Sequence, residues 1–171
     1  MYYGHNKPRS IDIRNRVKLP ANLIEALEVN RIILPAKYDV FGDKKSNLSL
    51  SMINMFGGYI ADKCIYILPE TQCGFLCAEI YDPSARRFFE SYPKETLNID
   101  ELERLEQLLD AEKITLDKLN RFIIPLEISK YLHIGKRDKV VFEGWGTTIG
   151  MFKSDTYKKY FYASLNENLE D

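Results

Sequence analysis

Two carboxylate–guanidinium pairs with the same spacing are the polar groups of this 171-residue chain best suited to chemistry: Asp12 with Arg16, and Asp117 with Arg121. Across a tight turn, an aspartate at that distance from an arginine accepts backbone N–H groups that would otherwise go unsatisfied, and it pairs with the guanidinium. Asp12 and Asp117 therefore take a structural role, as do Asn15 and Asn120, which stand just before the arginines. The arginines have donors to spare. A guanidinium carries five, and those the aspartate leaves open reach a guanine edge or a phosphate. Arg14, Lys18 and Lys118 lie in the same two segments and are suited to holding phosphates. The candidate DNA-binding set is thus Arg14, Arg16, Lys18, Lys118 and Arg121, with double-stranded DNA as the expected partner.

Other chemistry is sparse. The sequence has no nucleophile elbow, phosphate-binding glycine loop, paired-histidine helix or dinucleotide fingerprint, so no catalytic residue, cofactor or small-molecule substrate is expected. Cys73 and Cys77 invite a metal reading, but the remaining ligand candidates, Cys64, His5 and His133, lack paired spacing. Buried or half-buried thiols are the simpler reading, and no metal is assigned. Three cysteines and no secretory apolar stretch at the start point to a reducing cytoplasm, and no apolar run is long enough to cross a bilayer.

The elements that must position the two pairs repeat along with them. Ile11-Asp12-Ile13-Arg14-Asn15-Arg16-Val17-Lys18-Leu19-Pro20 is a degraded copy of Leu116-Asp117-Lys118-Leu119-Asn120-Arg121-Phe122-Ile123-Ile124-Pro125 at one offset, and Leu23, Ala26 and Leu27 fall on Ile128, Tyr131 and Leu132. Each copy reads strand, turn, strand, helix. Thr115-Leu116 and Phe122-Ile123-Ile124 are β-prone runs around the turn Asp117 to Asn120. Pro125 ends the second run and opens a helix over Leu126 to Leu132, as Pro20 does for Ala21 to Leu27. Both asparagines are expected in the left-handed conformation, which Asn tolerates better than other non-glycine residues.

Met1 to Ser10 reads as a flexible arm or an edge strand. Arg31 to Leu34 reads as a strand, Asp39 to Asn47 as a loop, and Leu48 to Met55 as either strand or helix, with a break at Gly57-Gly58. Cys64 to Leu68 is a strand running into Pro69. Asp82-Pro83 caps and opens a helix, and Asn98 with Glu101 caps an acidic one, whose Leu102, Leu105 and Leu109 form a stripe at helical spacing. Gly144-Trp145-Gly146 is a hairpin turn.

With 24 basic and 25 acidic residues, net charge −1, the chain does not bind nucleic acid through bulk positive charge. The charge is segregated, however. Residues 1–20 and 113–139 each carry an excess of four bases, while residues 94–113 and the tail carry the balancing acid.

An Asp-x-x-x-Arg followed by an apolar strand, proline and helix, twice in one small chain, resembles the MraZ family of bacterial transcriptional regulators. The second half is the closer match, with Val140 to Gly146 similar to the family's strand and glycine turn and Ile149 to Tyr160 to its returning strand and closing helix. In the first half, Asp62 to Pro69 and Pro83 to Phe89 resemble the corresponding strand and helix. The family usually has Gly at the positions of Asn15 and Asn120, and Arg at those of Ile24 and Ser129.

The resemblance implies an α+β fold, mainly β with helices: a double-ψ or swapped-hairpin, AbrB-like barrel built from two internal repeats. They would span residues 1–93, with an insertion and a following helix, and 113–171, joined by an acidic linker helix at 94–112. It further implies a sequence-specific regulator that binds short direct repeats upstream of a cell-division and cell-wall gene cluster, as a ring-shaped homo-oligomer in the bacterial cytoplasm and nucleoid. A ring protein of the same fold that has lost operator binding is the alternative, and an AbrB-type antitoxin a more distant one.

Overall fold

The computed structural model describes residue 2, residues 4–24 and residues 64–170, with side chains to residue 166. The strand expected at Arg31 to Leu34, the 39–55 insertion, the Gly57-Gly58 break and the end of the first motif helix lie outside the described residues.

The fold is α+β, with a six-stranded antiparallel sheet curled into a half-barrel, a separate two-stranded ribbon, and helices. In chain order the strands are β1 (Arg9–Ser10), β2 (Arg16–Lys18), β3 (Cys64–Gln72), β4 (Phe75–Tyr81), β5 (Glu112–Thr115), β6 (Arg121–Ile123), β7 (Lys139–Gly144) and β8 (Ile149–Lys153). The sheet order is β1-β7-β8-β4-β3-β5, and among the described residues β2 pairs only with β6. Exchanging the first four strands with the last four reverses this order onto itself. The short strand of each half, β1 or β5, adds to the hairpin of the other half, and then passes through its motif turn into the ribbon.

Alternation along the strands assigns the two faces of the sheet, as expected for strands buried on both sides. Ile65, Ile67, Ile80, Val140, Phe142 and Met151 form the inner face and share one buried cluster with Val17 and Phe122 of the ribbon. The intervening residues Cys77, Val141 and Phe152 pack outward against Tyr157 and Tyr160 of the closing helix α4 (Ser154–Glu170). Leu68 and Tyr81 meet Phe89 of α1 (Pro83–Ser91) and Leu108 of α2 (Ile99–Leu109). Leu105 and Leu108 are the buried residues of α2, so Leu108 joins the expected stripe, of which Leu102 and Leu109 are half-buried.

The helix starts follow from their caps. Asp82 accepts the Ala85 N–H with Pro at the first helical position, and Asn98 accepts the Glu101 N–H at 2.8 Å. The third helix, α3 (Leu126–Leu132), begins directly after Pro125 and ends on His133 in the left-handed conformation. In the first half the helix begins at residue 21, directly after Pro20.

One expected boundary is overturned. The strand from Cys64 does not stop at Pro69 but runs to Gln72, paired with β4 from Tyr66 to its end. Because β5 covers only Cys64 to Ile67, β3 is an edge strand from Leu68 onward among the described residues, and a missing N–H is tolerated there. Two short strands also shift, from Thr115-Leu116 to Glu112–Thr115 and from Phe122–Ile124 to Arg121–Ile123. The N-terminal segment is an edge element rather than a loose arm. Tyr2 bridges to Gly146 and His5 to Glu143, and the buried Tyr2 hydroxyl donates to Asp82 at 2.8 Å.

Candidate nucleic-acid interface

Each motif turn is closed by the same set of bonds. In the first, the Asp12 N–H donates to the Arg16 carbonyl at 2.9 Å and the Asn15 N–H to the Asp12 carbonyl at 3.1 Å; in the second, Asp117 and Asn120 repeat these at 2.9 and 3.0 Å. One carboxylate oxygen of Asp12 accepts the N–H groups of Arg14 and Arg16, while the other takes the Arg16 Nε–H at 2.9 Å. Asp117 does the same for Leu119 and Arg121, with its Arg121 Nε–H bond at 2.8 Å. Asn15 and Asn120 have φ of 59° and 61°, the left-handed conformation expected of them.

The Arg16 N–H bond holds the Asp12 carboxyl below the usual carboxylate range, aided by the guanidinium and the Arg14 N–H against a partial desolvation. Asp117 is lowered by Arg121 and Leu119 in the same way. Both aspartates thus spend their charge inside the turn. Each arginine gives up its Nε–H to the turn, and among the described residues neither set of Nη donors has a hydrogen-bond partner.

The turns are brought together by the ribbon. Arg16 lies opposite Ile123, Val17 opposite Phe122 and Lys18 opposite Arg121. The pairing extends past both strand ends, where the Leu19 N–H donates to the Asn120 carbonyl at 3.0 Å and the Ile124 N–H to the Asn15 carbonyl at 2.9 Å. Val17 and Phe122 are each 1% exposed and point inward, so period-two alternation puts Arg16, Lys18, Arg121 and Ile123 on the solvent face. Arg14 and Lys118, both exposed, sit in the turns at opposite ends of the ribbon. All five sequence-nominated bases therefore belong to one ribbon and its turns. A two-stranded ribbon is narrow enough to enter the DNA major groove.

Other features of the site were not anticipated. Lys136 and Arg137 border the first turn, with the Arg137 N–H donating to the Ile11 carbonyl at 2.9 Å; the only trace in the sequence was the local excess of bases. Ile13, Leu119 and Ile123 are 70%, 57% and 60% exposed within the same basic surface. Alternation about Val17 and Phe122 gives Ile123 away, but the turn residues carry no such signal. Ile24 and Ser129, the positions where arginines are usual in the resembled family, are buried. Ser129 is used internally: the Asn15 side-chain amide donates to its hydroxyl at 3.1 Å and to the Ile124 carbonyl at 3.0 Å.

Away from the ribbon the polar groups pair with one another. Glu143 accepts hydrogen bonds from Trp145, Tyr157 and Tyr160, and Arg104 of α2 bridges Glu70 and the buried Glu79. Burial pushes the Cys77 thiol up to about 12, reinforced by Glu70, Glu79 and Glu143. Among the described residues no group of three His, Cys, Asp or Glu side chains is placed to hold a metal ion, and no helix is long and apolar enough to cross a membrane.

No protein-family model matches the chain, and neither does any curated protein.

Proposed function

We propose that the chain is a sequence-specific, duplex-DNA-binding transcriptional regulator similar to the MraZ family, with two AbrB-like swapped-hairpin repeats forming one intertwined barrel. The observation that carries this reading is the β2–β6 ribbon, which presents Arg16, Lys18 and Arg121 on one outward face and has Arg14 and Lys118 at its ends. The palindromic strand order and the pairing of the two motif copies support the repeat architecture. Arg16 and Arg121 reach base edges while Arg14, Lys18 and Lys118 hold phosphates. The protein acts in the bacterial cytoplasm on short direct repeats upstream of division and cell-wall genes, as a ring of identical subunits.

A second reading, a ring protein of this fold without operator binding, draws on the exposed Ile13 and Ile123, since apolar groups beside the bases suit a protein contact as well as a base edge. A salt titration of duplex binding separates the two. A regulator binds at low salt with log affinity falling linearly against log salt in proportion to the phosphates engaged, and it prefers the DNA upstream of its own gene to random duplex. Absence of duplex binding at low salt supports the second reading instead.

A further inference from the structure

The two halves of the ribbon match in backbone and differ in chemistry. The local two-fold through the Val17–Phe122 pair carries Arg16 onto Arg121, but it carries Lys18 onto Ile123 and Ile13 onto Lys118. At one end of the ribbon, Arg16 lies opposite Ile123 and follows the exposed Ile13. At the other, Arg121 lies opposite Lys18 and follows the exposed Lys118. Exposed isoleucines on a basic face stabilise neither the core nor a phosphate contact. In the major groove their complement is the thymine methyl, which no other base presents.

We infer that the ribbon reads a polar, non-palindromic DNA element, in which the guanine taken by Arg16 is flanked by a thymine whose methyl packs on Ile123, while Lys18 replaces that contact with a charged one beside Arg121. The inference rests on the DNA-binding reading and deepens it: a direct repeat already has a direction, and the contact between Ile123 and a thymine methyl is what lets a ribbon with a symmetric pair of arginines read it. Lys18 and Ile123 are the pair on the strands of the ribbon that assigns a direction to the element, and Ile13 against Lys118 adds to it in the turns. Two consequences are expected: one orientation of the element on the ribbon is preferred, and a lysine at position 123 makes the two ends more alike, with Ile13 and Lys118 still differing.

The test is selection of bound duplexes from a randomised pool by the full-length chain and by Ile123→Lys, followed by affinity measurements with deoxyuridine replacing the selected thymine. The wild type is expected to select a non-palindromic element containing a guanine–thymine step. Loss of one buried methyl corresponds to about a fourfold weakening on uracil substitution. Ile123→Lys is expected to be indifferent to uracil and to select a more palindromic element. Full tolerance of uracil overturns the inference while leaving DNA binding intact, and a palindromic wild-type element overturns it together with the direct-repeat reading. A change in oligomer size in Ile123→Lys, with its selected element unchanged, makes Ile123 a subunit contact and also overturns it. Failure of the wild type to enrich any duplex overturns the DNA-binding reading itself, a result distinct from the others.

Discussion

Val17 and Phe122 face each other at the centre of the ribbon, both fully buried, and each is the other's counterpart in the repeat. That single relationship makes the doubled motif a structural unit. Each copy supplies one strand of the ribbon, one inward apolar residue and one outward arginine, and neither copy forms the ribbon alone. Burying a side chain of this size contributes about 1.5–3 kcal/mol, and here it fixes the register that puts both arginines on one face.

The two asparagines are expected to respond differently to glycine. Asn15 uses its amide on Ile124 and Ser129, whereas Asn120 has a buried Oδ1 with no hydrogen-bond partner among the described residues. Glycine relieves the positive φ at either position. Asn120→Gly should therefore raise stability by about 0.5–1 kcal/mol, and Asn15→Gly should lower it by about 1 kcal/mol through the lost hydrogen bonds. Urea midpoints of the two variants check the difference in sign.

The turn aspartates make acid sensitivity an expected property. A carboxyl whose folded pKa is depressed contributes stability above its unfolded pKa, near about 4, and that contribution is lost as pH falls through the folded value. Asp12→Asn/Asp117→Asn should be less stable than wild type at neutral pH, and the gap should narrow below pH ~4. Thermal melts across that range measure it.

Glu79 is buried and relies on Arg104. Arg104→Ala leaves a carboxylate without its partner and should cost about 2 kcal/mol, allowing for the exposure of the arginine. Adding Glu79→Gln should recover much of the loss. A denaturant double-mutant cycle reads the coupling.

Gly150 sits under the only tryptophan. A Cβ there would lie 2.2 Å from Cζ2 of Trp145, a ring held by the bond from its Nε1 to Glu143 at 2.9 Å. Gly150→Ala should displace the indole, cost about 1–3 kcal/mol and red-shift the intrinsic emission. An unchanged spectrum would show that the indole keeps its place and the backbone at residue 150 yields instead.

Much of this architecture was legible in the sequence because the signals were local and doubled. The Asp-x-x-x-Arg spacing located both turns, proline marked the start of each motif helix, and Asp82-Pro83 and Asn98 marked two more. Non-local facts were hidden. That β3 continues through Pro69 depends on where β5 stops, and the burial of Tyr2 depends on Asp82, eighty residues away. At the candidate site, the nominated bases could be named one by one, but their gathering on one face depends on a strand register between residues more than a hundred positions apart. Alternation about Phe122 turns Ile123 outward, but its place opposite Arg16 follows only from that register.

The most direct measurement is duplex binding by Arg16→Ala/Arg121→Ala protein, checked to be folded and of wild-type oligomeric size, at matched salt. The account expects a loss of about 1–3 kcal/mol for each engaged arginine, with discrimination between the chain's own upstream DNA and random duplex flattened. Lys118→Ala, by contrast, should weaken both DNAs alike and reduce the salt slope by about one. Wild-type affinity and preference in the double arginine variant would contradict the account.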